Sequence, residues 1–247
     1  MIIVFISLFC GISKANAQKD SIIIESGIVD EKDVVLMYEA MDDHIKNGNL
    51  KGATNAAEKL GEMLSSRSLE KIIKTNINKG QAEVAFQAAR MNKRNLSFKE
   101  ILTALKKKNA PIDSISKYIN RNITPKEAGK LQKIYIKNGD LKNSENASFI
   151  SEVFLKEKEY LNIYLICIQE ERIDDGILAA KKAGQKGKEA LSTLLKRFTN
   201  LRDMTTSIKI ATAIGGKNLT KREWTTIKKL IPPANEEEII KFIMAGK

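Results

Sequence analysis

Residues 78–109, NKGQAEVAFQAARMNKRNLSFKEILTALKKKN, make up one period of a repeat that runs along most of the chain. An asparagine follows a helix-like segment at five places, which are Asn47, Asn78, Asn109, Asn138 and Asn200. The separations are 31, 31, 29 and 62 residues, so a unit of about 31 residues recurs. A fixed period of this length is typical of stacked helical pairs. Only four prolines interrupt a composition rich in Ala, Leu, Ile, Lys and Glu, and we therefore predict an all-α fold.

The turn inside each predicted unit carries signals for the start of a helix. In a capping box, a Ser or Thr and a Glu three residues later accept hydrogen bonds from each other's backbone N–H. Three such pairs occur in phase with the repeat: Ser97 with Glu100, Thr124 with Glu127, and Thr220 with Glu223. One position of the turn recurs at separations of 32, 27, 32, 32 and 32 residues, at Leu64, Leu96, Ile123, Leu155, Gly187 and Leu219. The third unit is therefore shorter than the others by about one helical turn.

Each unit is predicted to contain a first helix marked by alanines and a second helix with a strong apolar stripe. The alanines let neighbouring helices approach closely, and they lie at Ala56-Ala57, Ala88-Ala89, Ala179-Ala180 and Ala211. An apolar stripe at helical spacing needs a neighbouring surface to cover it. Six stacked pairs can supply one continuous core. We expect a helix over residues 31–46 and a last helix after Pro232-Pro233 to cover the two ends.

The two-helix unit, the alanines at packing positions and the short period together resemble the tetratricopeptide and pentatricopeptide class of helix-turn-helix repeats. The resemblance covers residues 31–245, but the tetratricopeptide signature of Trp, Leu-Gly, Tyr and a late Pro is missing. It implies an α-solenoid, a right-handed superhelix of about six repeats with a capping helix at each end. It also implies that the first helices line a concave surface that binds peptides or single-stranded RNA. No contact residue of the class can be transferred to this chain.

The start of the chain has the pattern of a secretory signal peptide. Residues 2–12 are almost entirely apolar but too few to span a bilayer, and Ala15-Asn16-Ala17 has the small-x-small form of a cleavage site. An uncleaved anchor is the alternative, because no Lys or Arg precedes the apolar run. We predict a signal peptide over residues 1–17, a flexible lead-in over 18–30 and a helical-repeat domain over 31–247. The expected location is secreted or periplasmic, with no transmembrane segment after cleavage.

Composition limits the chemistry that the chain can carry. Cleavage after Ala17 would leave Cys167 as the one cysteine, which excludes a disulfide framework and a cysteine zinc site. Cys167 lies in an apolar run and is expected to pack as a small hydrophobic residue. The single histidine, His44, lies beside Asp42 and Asp43, and we expect it to be exposed and structural. The sequence therefore indicates no catalytic residues, no metal site and no cofactor, and we predict that the chain is not an enzyme.

The net charge of +12, or +11 without the signal peptide, favours anionic partners such as nucleic acid, anionic surfaces or an acidic protein face. Four cations fall on predicted first helices, and we take them as the candidate binding residues: Lys59, Arg90, Lys181 and Lys182. The first hypothesis is a binding or scaffold module that holds an extended or acidic protein or peptide on its concave face. The second is single-stranded RNA binding, with one base per repeat. The third is the helical accessory region of a cell-wall enzyme whose catalytic domain is not in this chain.

Overall fold

The computed structural model describes residues 22–24, 27–29, 31–108 and 110–245. Within them the chain forms a short antiparallel pair of strands, β1 (Ile22–Ile24) and β2 (Gly27–Val29), followed by fourteen α-helices. The helices are α1 (Glu31–Lys46), α2 (Leu50–Lys59), α3 (Ser66–Lys79), α4 (Ala82–Met91), α5 (Phe98–Leu105), α6 (Ile112–Ile119), α7 (Pro125–Lys137), α8 (Leu141–Ser151), α9 (Glu157–Gln169), α10 (Ile173–Lys182), α11 (Gly184–Asn200), α12 (Met204–Ile214), α13 (Lys221–Lys228) and α14 (Glu236–Ala245).

The helical content confirms the all-α prediction for the region after residue 30. The strands lie in the segment 18–30, where the sequence has no helical period. The predicted signal peptide, residues 1–17, lies outside the described residues. No helix in the described part of the chain is long and apolar enough to cross a lipid bilayer.

The helices α1, α3, α7, α9 and α11 end with the same backbone geometry. Shortly after each of them, one residue adopts a left-handed conformation, and these residues are Gly48, Gly80, Gly139, Glu171 and Arg202. The next N–H then bonds to a carbonyl five residues back, as from Asp140 to Tyr135 at 2.9 Å and from Arg172 to Cys167 at 2.8 Å. This is the Schellman motif, which satisfies carbonyls left unpaired at a helix C-terminus. Asn47, Asn78, Asn138 and Asn200 therefore mark four of these five turns, the turn after α9 has no asparagine, and Asn109 lies outside the described residues.

The predicted capping boxes are all formed. Glu100 accepts a hydrogen bond from the Ser97 N–H at 2.7 Å, and the Ser97 hydroxyl accepts one from the Glu100 N–H at 3.3 Å. Thr124 with Glu127, and Thr220 with Glu223, repeat this arrangement at the starts of α7 and α13. Each box satisfies orphan N–H groups in the first turn of its helix.

One predicted turn is wrong. The repeat spacing places Gly187 among the turn residues, but it lies inside α11, which begins only two residues after α10 ends. The chain reverses at once through Gly184, whose φ is +60°. A Cβ on Gly187 would lie 1.8 Å from the carbonyl oxygen of Ala180, so the backbones of α10 and α11 are in direct contact there. The regular 32-residue spacing of the predicted turn positions could not show that Gly187 is instead a point of close contact between α10 and α11.

The chain divides into two compact units, residues 1–72 and 73–247. In the first unit, α1 packs on α2, and the Tyr38 hydroxyl donates a hydrogen bond to Glu62 at 2.5 Å. The prediction that His44 is exposed is wrong, because the residue is half-buried and its imidazole lies over Gly52 of α2. A Cβ at position 52 would come within 2.6 Å of that ring.

In the second unit, the closest packing joins helices that flank a Schellman turn: α7 with α8, α9 with α10, and α11 with α12. The odd-numbered helices α7, α9, α11 and α13 each contact the next in that series. Among the even-numbered helices, α6 contacts α8, α10 contacts α12, and α12 contacts α14. Ile163, Leu195 and Ile210 lie in the shared apolar core. At the C-terminus, Ile243 of α14 is fully buried, as its predicted covering role requires, whereas Phe242 is half exposed.

Candidate binding surface

The four candidate binding residues are all exposed, but the structure gives them different surroundings. Lys59 lies on α2 in the first unit, and the other three lie in the second unit. Lys181 and Lys182 are neighbours on α10, whereas Arg90 belongs to α4, three even-numbered helices earlier. The Arg90 guanidinium lies 5.9 Å from the ring centre of Phe86, one turn back on its own helix.

Polar contacts join successive even-numbered helices of the second unit. The Lys182 ammonium of α10 pairs with Glu145 of α8 at 2.5 Å, and Lys209 of α12 pairs with Asp174 of α10 at 2.9 Å. The Tyr118 hydroxyl of α6 donates to Glu83 of α4 at 2.6 Å, and burial together with Glu83 raises the pKa of Tyr118 to about 12. One predicted binding residue, Lys182, is therefore already neutralised by a neighbouring helix.

The positive charge is concentrated on the odd-numbered helices. Helices α2, α4, α6, α8, α10 and α12 carry eight basic and six acidic residues within their bounds. Helices α3, α5, α7, α9, α11 and α13 carry seventeen basic and seven acidic residues. The excess of positive charge therefore lies on the second helix of each predicted pair, not on the first.

Helix α7 carries the clearest part of this excess, which we call the lysine stripe: Lys126, Lys130, Lys133 and Lys137. Successive members are 4, 3 and 4 residues apart, so they share one helix face, and all four are exposed. At 1.5 Å per residue the stripe extends over roughly 16 Å. The ion pairs found in the described residues include none of these four lysines.

Two grooves border the lysine stripe. Lys133 lines one, beside α9, together with Ile136, Lys158, Glu159 and Asn162. Lys137 lines the other, with Lys107, Lys108 and Arg172 among its neighbours. Both grooves are mixed in charge, because Glu159 lines the first, Asp140 and Glu170 line the second, and Arg172 is paired with Glu170 and Asp175.

The last turn of α8 and the loop that follows it display large apolar side chains, which we call the apolar patch: Phe149, Ile150, Val153 and Phe154. Phe149 is 81% exposed, Phe154 69% and Val153 57%. The turn is nevertheless well anchored, because the Val153 carbonyl accepts hydrogen bonds from the buried side chains of Gln132 and Ser148, at 2.7 and 2.8 Å. The exposure of the patch is therefore fixed by the structure of the turn.

The equivalent turns earlier in the chain have the same backbone form but polar surfaces. Lys93, Asn120 and Glu152 are the left-handed residues of the three turns, with φ of 54°, 53° and 57°. The turns can be aligned on these left-handed residues. Three residues before the left-handed residue, Phe149 corresponds to Arg90 and Lys117. One and two residues after it, Val153 corresponds to Arg94 and Arg121, and Phe154 corresponds to Asn95 and Asn122. The fold does not require apolar residues at these places. Aligning the turns on the motif Arg-Asn-Leu/Ile-Ser/Thr-x-Lys-Glu would have revealed the patch from the sequence.

The other chemical candidates have structural roles in the described residues. Cys167 is fully buried, its thiol donates to the Gly139 carbonyl at 3.3 Å, and burial raises its pKa. This confirms its predicted packing as a small hydrophobic residue. No group of three or more His, Cys, Asp or Glu side chains that could hold a metal ion occurs in the part of the chain that the structure describes.

Comparison with known proteins adds no relative to this picture. No family model, no curated protein and no solved structure matches the chain. The likeness to tetratricopeptide and pentatricopeptide repeats therefore stays a prediction. The basis for a function is the chain's own surface, with its unpaired lysine stripe and its exposed apolar patch.

Proposed function

We propose that this protein is a secreted or periplasmic helical-repeat binding or scaffold protein that recognises an extended or acidic segment of another protein. The proposal includes an α-solenoid of about six two-helix units with α1 and α14 as its caps. The sequential packing of odd-numbered on odd-numbered and even-numbered on even-numbered helices supports this arrangement. A preformed surface of this kind binds through many shallow contacts.

The exposed and unpaired lysine stripe of α7 is the observation that carries the proposal. The class resemblance placed binding on the first helices, through Lys59, Arg90, Lys181 and Lys182. Lys182 is engaged by Glu145, whereas the lysine stripe of α7 is exposed and absent from the ion pairs of the described residues. We therefore place the main contact surface for acidic residues on α7 and its neighbours. Complementary charge steers such a partner and favours its encounter.

The test compares two quadruple variants that lose the same charge. One replaces Lys126, Lys130, Lys133 and Lys137 by Gln. The other replaces Lys59, Arg90, Lys181 and Lys182 by Gln. Each exposed charge contact contributes about 0.2–1 kcal/mol, so we expect the first variant to bind fluorescent poly-L-glutamate about tenfold more weakly than the wild type. The second variant should change the affinity by less than about threefold, because its residues lie outside the proposed surface.

Fluorescence anisotropy at low salt measures these affinities, with a labelled mixed-sequence RNA pool as the competing probe. A larger loss in the second variant would return the binding surface to the first helices. Tight RNA binding that falls steeply with salt, together with weak polyglutamate binding, would favour the pentatricopeptide-like alternative. Absence of binding to polyglutamate by the wild type would overturn the proposal.

A further inference from the structure

We propose that the apolar patch and the lysine stripe form one docking surface, and that its occupant is an acidic protein segment that also carries large apolar side chains. This inference rests on the proposed function and specifies the chemistry of the partner. It assigns a role to Phe149, Val153 and Phe154, which the positive charge of α7 leaves unexplained.

The two parts of the surface lie side by side. Gly129 of α7 lies three residues after Lys126 and four residues before Lys133, so the three positions share one side of the helix. On the same helix, a Cβ at Gly129 would lie 4.0 Å from the Cβ of Ser151, in the last turn of α8. The end of α8 therefore lies beside the part of α7 that carries Lys126 and Lys133, and the Gln132 amide holds the following turn on α7 through the Val153 carbonyl at 2.7 Å. One short extended segment can contact both.

The apolar patch has the character of a contact surface. Isolated exposed apolar residues are common on proteins, but contiguous ones mark interaction sites. Phe149 and Phe154 are exposed at 81% and 69%, and the turn that holds them is fixed by Gln132 and Ser148. The equivalent places in two other turns carry Arg, Lys and Asn. Preorganised aromatic side chains lose little freedom on binding and commonly anchor a protein partner.

Charge selects the occupant. The four lysines of the stripe give the α7 part of the surface a positive charge, which complements carboxylates. Glu152 is exposed in the turn itself, close in sequence to Val153. An extended peptide can place apolar side chains on the patch and carboxylates over α7, and so avoid Glu152. A flat anionic bilayer would meet Glu152 and the lysines together, and an RNA read with one base per repeat would use contacts spread over all units, not one apolar turn.

The experiment uses three probes and the full chain. The probes are poly-L-glutamate, a glutamate–tyrosine copolymer of the same length, and vesicles of phosphatidylserine. We expect the wild type to bind the copolymer about tenfold more tightly than polyglutamate, which corresponds to about 1.4 kcal/mol. A Phe149→Ser, Phe154→Ser double variant should lose this preference and keep its polyglutamate affinity. The matched control is Leu165→Ser with Leu178→Ser, which removes two other exposed apolar side chains, and it should keep the preference.

The outcomes separate the two levels of the proposal. If the wild type binds both polymers equally, or if the double Phe variant keeps the preference, the docking surface is wrong while the proposed function stands. Absence of binding to either polymer overturns the proposed function itself. Vesicle binding that is tighter than copolymer binding and is lost in the double Phe variant would show that the patch contacts lipid, and would overturn the inference. Circular dichroism of both double variants checks that they remain folded.

Discussion

Glu127 shows how a single carboxylate fixes a turn in this protein. The Arg121 guanidinium donates to its two oxygens at 2.6 and 2.8 Å, and the Thr124 N–H and hydroxyl donate at 3.1 and 3.0 Å. Hydrogen bonds to the ionised form favour it. Those from Arg121 contribute most, and together with those from Thr124 they lower the pKa of Glu127 to about 2. At the preceding capping box, burial opposes ionisation of Glu100, but hydrogen bonds from Arg94 and Ser97 outweigh it and lower the pKa of that carboxyl.

The low pKa of Glu127 predicts a stability that depends on pH. The native pKa lies below the ordinary value of 4.5, so the ionised carboxylate contributes its full stability above about pH 4.5, and this is lost as the pH falls toward 2. Glu127→Gln keeps a neutral capping box and removes the charge. We expect the variant to lose about 1 kcal/mol of unfolding free energy at neutral pH, and the difference to shrink as the pH falls below about 4.5. Urea denaturation followed by circular dichroism measures both effects.

The control for this prediction is Glu189→Gln, at an exposed position of α11. We expect its difference from the wild type to be smaller at neutral pH. The prediction fails if the two variants differ equally from the wild type across the acidic range.

The capping pairs were predictable from the sequence, but their arginines were not. A Ser or Thr three residues before Glu is a local signal, because the first turn of a helix brings the two together. Arg94 and Arg121 lie six residues before their Glu partners, each directly after the left-handed residue of its turn, and the form of that turn is not evident until the chain is folded. The sequence shows the recurrence of Arg-Asn-Leu/Ile-Ser/Thr before Glu100 and Glu127. Only the structure shows its reason, which is the hydrogen bond from each Arg to its Glu.

At the scale of helices, the crossing of α10 and α11 is the most demanding contact. Gly187 is buried and faces the Ala180 carbonyl at a distance that leaves no room for a side chain. Gly129 of α7 is also helical, but a Cβ there would meet only Ser151, at an ordinary 4.0 Å. The two glycines are therefore a matched pair, one required by packing and the other not.

We expect Gly187→Ala to lower the unfolding free energy by about 2–4 kcal/mol, because α10 and α11 must move apart to admit the methyl group. Gly129→Ala should raise it by about 0.5–1 kcal/mol, because alanine loses less backbone freedom in a helix. Urea denaturation measures both changes, through the shift of each midpoint while the dependence of the unfolding free energy on urea concentration stays unchanged. If the two variants changed the unfolding free energy equally, α10 and α11 would have room for a methyl group at Gly187, contrary to the geometry.

The positions of the helices were largely predictable, whereas their pairing was not. Capping boxes and asparagine turns depend on local sequence, so α5, α7 and α13 begin where predicted. The sequence does not say which neighbour a helix packs on most closely. The closest partners are joined by the turns that follow odd-numbered helices, as α7 and α8 are across Gly139, rather than by the turns that precede the capping boxes. The prediction for His44 is wrong for the same reason, since its neighbour Gly52 is on the next helix.

At the scale of the whole molecule, the net charge was predictable, but the ion pairs that neutralise part of it were not. The partners of Lys182 and Lys209 lie 37 and 35 residues away, on the preceding even-numbered helix. No local pattern identifies such pairs. The excess of positive charge on the odd-numbered helices, by contrast, follows from their sequences alone, and the 4, 3 and 4 residue spacing of the lysine stripe is itself a local pattern. The candidate surface therefore moved from the first helices to α7, although the predicted preference for an acidic partner stayed the same.

In the described part of the chain, each extensive contact joins helices that are no more than two apart in sequence. A chain built this way should lose structure locally when one contact is damaged, because distant units share no interface. In Gly187→Ala we therefore expect faster backbone hydrogen exchange in α10, α11 and α12, with α4 and α5 as protected as in the wild type. Gly129→Ala should accelerate exchange in none of these helices. Exchange read by mass spectrometry on peptic fragments resolves the helices. If Gly187→Ala instead accelerates exchange uniformly from α4 to α14, these helices unfold as one cooperative body, and the proposed solenoid is wrong.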